Sequence, residues 1–446
     1  MKILSITAGA AGMYCGSCLR DNALAIELMA RGHDTTLVPV YTPTLTDDAN
    51  VSRRDVLFGG ISVYLQQHSP LFRKLPRFLD RLWDSPRLIG MFAGRGISPD
   101  ARFVGEMAVS MLHGENGVLR KEFDKLVDWT KDEPVPDVIN LPNSLLIAMA
   151  APLKRALGRP VCVTLQGEEL FIDSLVAPYR EQVLPLIRRQ VRDVDHFIAV
   201  SEYCARYMSS FLEIPSERVS VVPLGIAMDG YSRRDTPPAK DAAFRVGYLA
   251  RVAPEKGLEL LAQAYVRLRR KMNGAPARLE VAGYMAPEHR PYLDGARAVL
   301  AQAGLQDEMT YHGEIDRAGK RAFLRELDVL SVPAIYDEPK GIFLLEAMAS
   351  GVPVVQPRRG AFIEVVNKTS GGVLVDQDDP DALASGLHSL WADPAARERL
   401  GRAAYDGVRA HYTIAHSADR LTRVYESITS AASPRASKGA VLRDSA

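Results

Sequence analysis

Short apolar runs of strand length alternate with amphipathic stretches of helical spacing along almost the whole chain, in two series separated by a polar linker. Residues 2–8 form the first run. A glycine-bearing loop follows, then ALAIELMARGHD places apolar side chains at helical spacing up to Gly32, and TTLVPVY begins a second strand. Strand, glycine turn, helix and strand within about 40 residues make a βαβ unit, which builds a parallel sheet with helices on its faces. The pattern continues through PDVINL, RPVCVTLQ, HFIAVS and RVSVVPLGI. Residues 227–243 are polar, charged and proline-bearing without periodicity, and read as a linker. A second series then runs through FRVGYLA, RLEVAGY, EMTYHG, VLSVPA, GVPVVQP and GGVLVD. The expected fold is α/β, with two Rossmann-like doubly wound domains, residues 1–226 and 244–412, whose sheets turn their carboxyl ends to a shared central cleft. One more amphipathic helix is expected over 413–430, and residues 431–446, lacking apolar periodicity, are expected to be disordered.

Composition narrows the function classes. Fifty-five basic and 54 acidic residues leave a net charge of +1, so no global field draws in nucleic acid. Four cysteines, Cys15, Cys18, Cys162 and Cys204, are too few for a disulfide framework in a chain of 446 residues and fit a reducing cytoplasm. The N-terminus, with one lysine and glycines inside its apolar run, reads as a buried first strand rather than a leader. The longest apolar stretch, 145–153, contains Pro152 and falls well short of the roughly 20 residues that span a bilayer. Residues 68–88 interleave basic side chains with Leu71, Phe72, Leu75, Phe78, Leu79, Leu82 and Trp83. That pattern favours a helix packed on the core, with a peripheral membrane contact as the alternative.

The chemistry concentrates at 338–354, EPKGIFLLEAMASGVPV, where seven residues separate Glu338 from Glu346 and Gly341 lies between them. A helix beginning near Gly341 directs the amides of Gly341, Ile342 and Phe343 outward from its positive end, as a phosphate requires. Glu346, one turn in, suits the vicinal hydroxyls of a ribose, and Glu338 on the preceding loop suits a sugar beyond the phosphates. Carboxylates near a helix start are common for dipole reasons alone. The second feature, GYLARVAPEKG at 247–257, places Arg251 and Lys256 just after a strand, where a guanidinium and an ammonium neutralise a diphosphate.

Arg251 with Lys256-Gly257, the Glu338–Glu346 spacing, His312-Gly313, Gly351-Val352-Pro353-Val354 and Gly360 to Glu364 followed by Gly372 together resemble the family 4 glycosyltransferases of the GT-B fold, in the glycogen-synthase-like superfamily. The resemblance is strongest over 244–375 and collinear over the first half. It implies a retaining transfer of a hexose-type sugar from a nucleotide diphosphate sugar to a hydroxyl of a carbohydrate or lipid-linked acceptor. It further implies no cofactor or obligatory metal, and a last helix that crosses back to the first domain. It assigns Arg251 and Lys256 to the diphosphate, Glu346 to the ribose, Glu338 to the donor sugar, and the amides of Gly341, Ile342 and Phe343 to the phosphate or sugar. The loop AGAAGMYCGSCLRDN brings Gly12 and Gly16 toward the diphosphate from the first domain. Three departures stand out: Gln166 where many relatives have a histidine, Lys340 in place of an aromatic, and Leu224 in place of an asparagine. Gln166 hydrogen-bonds a hydroxyl but does not titrate, which leaves Glu168 and Glu169 as candidates for polarising the acceptor.

Other motifs are weaker. Cys15-Gly-Ser-Cys18 at a helix start has the form of a redox pair, but nothing else in the chain is thioredoxin-like, and no second CxxC exists to complete a zinc site. Asp193–Asp195 and Asp376–Asp378 spell Asp-x-Asp, yet the second precedes an Asp379-Pro380 helix start and the first ends a helix. A nucleotide-sugar epimerase of the same fold, or an inactive nucleotide- or glycan-binding protein, are the alternatives to a transferase.

Overall fold

The computed structural model describes residues 1–9, 16–46, 49–74, 101–234 and 242–432. Gly12, Cys15, most of the 68–88 segment and the tail from 433 onward therefore lie outside the described residues. Two six-stranded sheets form the framework, and every strand pairing within them is parallel.

The first sheet comprises β1 (Lys2–Thr7), β2 (Asp34–Pro39), β3 (Val138–Leu141), β4 (Val161–Leu165), β5 (His196–Ala199) and β6 (Val219–Val221), in the order β2-β1-β3-β4-β5-β6. The second comprises β7 (Phe244–Leu249), β8 (Ala277–Ala282), β9 (Met309–Tyr311), β10 (Val329–Leu330), β11 (Val354–Pro357) and β12 (Gly372–Val375), in the order β12-β11-β10-β7-β8-β9. Central strands such as β3 (VINL) and β4 (VCVTL) are buried throughout, as parallel strands covered by helices on both faces must be. The strand order reverses between β1 and β3 in one sheet and between β7 and β10 in the other. Open α/β sheets leave a crevice at such switch points.

The helices that bear on that crevice are α1 (Gly16–Ala30), α2 (Glu169–Ser174) and α3 (Glu202–Leu212) beside the first sheet, and α4 (Leu258–Lys271), α5 (Arg317–Glu326), α6 (Ile342–Ala349) and α7 (Phe362–Thr369) beside the second. A last helix, α8 (Ile414–Ala432), returns to the first domain. Its Ile414, Ala418, Leu421 and Tyr425 recur at helical spacing and pack on Ile3, Leu24, Leu28, Val138, Cys162 and Ile198. Ion pairing of Arg31 with Asp419 and a 2.7 Å bond from Ser417 Oγ to Pro223 O fix the register of this crossing. Among the described residues no helix is long and apolar enough to cross a membrane.

Candidate functional site

A cleft of about 490 Å³ opens between the two switch points. From the first domain it is lined by Gly16, Ser17 and Gln166, and from the second by Arg251, Lys256, Lys320, Tyr336, Glu338, Lys340, Ile342, Phe343 and Glu346, among others. It thus gathers Gly16, Gln166, Arg251, Lys256, Glu338, Ile342, Phe343 and Glu346, whereas Gly341, the residue before α6, and the two acceptor-side candidates Glu168 and Glu169 are not part of its lining.

Gly341 adopts φ +67°, a left-handed conformation that a side chain strains, and a Cβ there would also lie 3.4 Å from the Phe362 ring. The turn starts α6 three residues after Glu338 and brings the Gly341 amide within hydrogen-bond reach of the Glu338 carboxylate. Glu338 is only 4% exposed. Its Oε2 accepts from the Lys256 ammonium and, at 2.5 Å, from the Tyr336 hydroxyl; its Oε1 accepts from the amides of Lys340 at 3.2 Å and Gly341 at 3.4 Å. The Gly341 amide is therefore engaged by Glu338, unlike the outward, unpaired amide expected from the sequence. Burial disfavours the charged carboxylate, but the neighbouring Lys256 charge and its hydrogen bond, with the Tyr336 hydroxyl, outweigh it and lower the Glu338 pKa to about 2.

Lys256 also donates to the Tyr336 hydroxyl at 2.6 Å and lies over the Tyr336 and Phe343 rings, 4.9 and 5.7 Å from their centroids. Arg251 is more exposed and pairs with Glu255 at 2.9 Å. Glu346, buried on the first turns of α6, accepts from Lys320 Nζ at 2.7 Å and from the Tyr231 hydroxyl at 3.4 Å. Across the cleft, Gln166 donates through its side chain to Pro142 O at 2.8 Å, while its carboxamide oxygen is buried with no partner among the described residues. Glu168 is occupied structurally: it accepts from the amides of Gln166 at 2.8 Å and Ser144 at 2.9 Å, and burial raises its pKa. Glu169 is 7% exposed, and burial, reinforced by the Glu168 charge, pushes its pKa up to about 7. Lys340 reaches the first domain and donates to Ser17 Oγ at 3.0 Å.

Sequence reasoning missed Tyr336, Lys320, Tyr231 and the bond from Lys340 to Ser17. Tyr336 stood two residues before Glu338 and its phenol was the available signal. Lys320 and Tyr231 lie 26 and 115 residues from Glu346, and no local pattern announces such pairs. The rival motifs serve the framework. Asp379 caps a helix through the amides of Asp381 and Ala382, Asp195 binds Lys154 and the amide of Val161, and Cys18 is buried. Among the described residues no group of three or more His, Cys, Asp or Glu side chains is placed to hold a metal ion.

Two family models match the chain. Residues 22–225 match "Glycosyl transferase 4-like domain" and residues 233–407 match "Glycosyl transferases group 1". Among curated relatives, a lipopolysaccharide core biosynthesis mannosyltransferase of Rhizobium leguminosarum is 29% identical over 252 residues, covering 53% of this chain and 66% of the relative. A GDP-mannose-dependent alpha-(1-6)-phosphatidylinositol monomannoside mannosyltransferase of Mycolicibacterium smegmatis is 28% identical over 275 residues, covering 57% and 67%. The chain spans between 34% and 69% of the length of the curated relatives it matches. The sucrose-phosphate synthase of Thermosynechococcus elongatus superposes with a TM-score of 0.68 at 18% identity, covering 96% of this chain and 99% of that one, which bears on the fold.

Proposed function

From membership of the family 4-like glycosyltransferases of the GT-B fold, to which this chain belongs, we propose that it moves a hexose-type sugar from a nucleotide diphosphate sugar to an acceptor hydroxyl with retention of configuration, without an obligatory metal. The observation that carries this reading is the cleft that places Lys256, Arg251, Glu338 and Glu346 opposite Gly16 and Gln166. Lys256 and Arg251 take the diphosphate and stabilise its charge as the bond to the sugar breaks. The amides at the start of α6 add fixed dipoles to the same end. Glu346 accepts from the ribose hydroxyls. Glu338 accepts from the donor sugar, and the partnerless oxygen of Gln166 takes a further sugar hydroxyl. The acceptor, a carbohydrate or lipid-linked hydroxyl, approaches along the first-domain wall on the face the diphosphate leaves. Two of the relatives are mannosyltransferases, one of them GDP-mannose-dependent, which makes GDP-mannose the first donor to try.

The test is a thermal-shift series with UDP, GDP, ADP and their sugar conjugates, followed by release of nucleoside diphosphate in the presence of candidate acceptors. A ligand at about 100 times its Kd adds about 2.7 kcal/mol to the folded state. Stabilisation by one nucleoside diphosphate and its sugars, lost in Lys256→Ala, is the expected result. No shift with any nucleotide, or turnover undiminished in both Lys256→Ala and Glu346→Ala, rejects the assignment.

A further inference from the structure

The loop that carries Glu338 belongs to the second domain, yet it is fastened to the first. Ser201 Oγ donates to Pro339 O at 2.8 Å while accepting from the amide of Cys204 at 3.0 Å, so a single buried hydroxyl caps α3 and grips the loop. Gly167, at φ +92°, makes room for the Pro339 ring: a Cβ there would fall 2.3 Å from Pro339 Cγ. A second tie runs in the opposite sense. Glu364, on α7 of the second domain, accepts through Oε2 from the amide of Glu202 at 3.0 Å, satisfying one of the open donors in the first turn of α3. The N-terminus of α3 is thus shared between a hydroxyl of its own domain and a carboxylate of the other.

We infer that Ser201 and Glu364 are positioning residues that clasp the 338–341 loop to the first domain and so set Glu338, and through it Lys256, in register with the acceptor wall when the two domains meet. The inference rests on the transfer reading for its kinetic consequence and on geometry alone for its structural one. Neither residue lines the cleft. Their effect therefore passes through the loop: Pro339 is held by its carbonyl from Ser201 and by its ring from Gly167, and Glu338 immediately precedes it. With the clasp loosened the nucleotide still finds Glu346, Arg251 and the start of α6, all within one domain. The geometry between donor sugar and acceptor then suffers, and misplacement of reacting groups costs rate more than binding.

The experiment compares Ser201→Ala, Glu364→Ala and Gly167→Ala with the unaltered chain, and uses Ser201→Thr, which keeps the hydroxyl, as the rescue. Gly167→Ala leaves the α3 cap intact and opens the same contact from the opposite side, so a folding defect specific to the cap is separated from the clasp. Two quantities are read: amide hydrogen exchange of the 340–343 segment in the full chain, and the split between kcat and donor KM. Expected are exchange at least about tenfold faster in Ser201→Ala, Glu364→Ala and Gly167→Ala, kcat lower by about tenfold or more, nucleoside diphosphate binding within about twofold, and the effects of Ser201→Ala absent in Ser201→Thr. Unchanged exchange of the segment in Ser201→Ala overturns the clasp, as does a fall in kcat matched by an equal fall in nucleotide affinity. If the unaltered chain transfers no sugar from any donor, the transfer reading fails while the exchange measurement still decides the clasp, because it needs no turnover.

Discussion

Removing the Lys256 ammonium leaves a buried carboxylate without its counter-charge, and the consequence extends past the loss of a ligand contact. Glu338 is only 4% exposed in the unaltered chain, and in Lys256→Ala the partners left to it among the described residues are the Tyr336 hydroxyl at 2.5 Å and two long bonds from the amides of Lys340 and Gly341, at 3.2 and 3.4 Å. Breaking one partner out of a buried pair costs about 3–5 kcal/mol. Loss of the ammonium over the Tyr336 and Phe343 rings adds about 0.5–2 kcal/mol. The sign of the pH dependence separates this account from a general loosening. In the unaltered chain the Glu338 pKa is held at about 2, below its unfolded value, so its contribution to stability is present above an unfolded pKa of about 4.3 and is lost as pH falls through about 2. Without Lys256 the burial that opposed ionisation prevails and the folded pKa rises above the unfolded one. The contribution is then present in acid and lost as pH rises through the folded value.

Urea unfolding of both chains between pH 4 and pH 8, followed by a signal from the second domain, reads this directly. Lys256→Ala should lose about 3.5–7 kcal/mol near pH 7.5 and recover part of it near pH 4.5. Adding Glu338→Gln should restore most of the stability at pH 7.5 and abolish the recovery in acid. A loss below about 1 kcal/mol at pH 7.5, or a loss that is the same at both pH values, refutes the claim that the pair is an interdependent buried unit.

Four further outcomes are expected. Glu346→Ala should raise the donor KM by about 10- to 100-fold, the range for hydrogen bonds to a charged group, in steady-state assays at fixed acceptor. Glu169, with a folded pKa of about 7 against about 4.3 unfolded, contributes stability that is present below the unfolded value and lost as pH rises through about 7. Glu169→Gln should therefore flatten by about 2–4 kcal/mol the fall in unfolding free energy between pH 5 and pH 8.5 measured in denaturant. Tyr425→Ala removes a fully buried ring between α8 and the first sheet and should cost about 3–5 kcal/mol, read as a lowered urea midpoint and earlier proteolysis after residue 412. Inorganic pyrophosphate should stabilise the chain far less in thermal shift than a nucleoside diphosphate at equal concentration.

The two-sheet architecture was legible because its signal is repetitive: ten or more apolar runs of strand length, each followed by helical spacing, admit little besides paired parallel sheets. That Glu338, Glu346, Arg251 and Lys256 converge on one cleft was legible because each sits beside a feature with a chemical reason of its own, a glycine before a helix or the end of a strand. What the sequence concealed is pairing. That Lys256 binds Glu338, that Lys320 binds Glu346, and that Ser201 grips Pro339 are facts about residues 82, 26 and 138 positions apart. Such pairs are set by the strand order β12-β11-β10-β7-β8-β9 and by closure of one domain on the other, not by any local pattern. Glu168 shows the same limit from the other side. Its sequence neighbourhood offered an acceptor-side carboxylate, and the fold uses it to satisfy two backbone amides.

Pairing also changes what recognition in this cleft means. Its lining carries four cations, Arg251, Lys256, Lys320 and Lys340, and four carboxylates, Glu314, Asp316, Glu338 and Glu346, so the wall as a whole is neutral. Three of the cations already hold a carboxylate, Glu255, Glu338 and Glu346 respectively. On the proposed reading, a diphosphate that draws Lys256 away leaves Glu338 buried with its strongest partner gone, and a penalty of this kind cancels much of the Coulomb gain. The exchange becomes favourable only when the same ligand brings hydroxyl donors to the carboxylates it frees: the sugar hydroxyls for Glu338 and the ribose hydroxyls for Glu346, where Lys320 is displaced or shared. An anion without those hydroxyls meets the cost without the return. Selectivity for a nucleotide carrying a sugar then follows from the internal ion pairs themselves, because each one demands a replacement partner of a particular chemistry at a particular place.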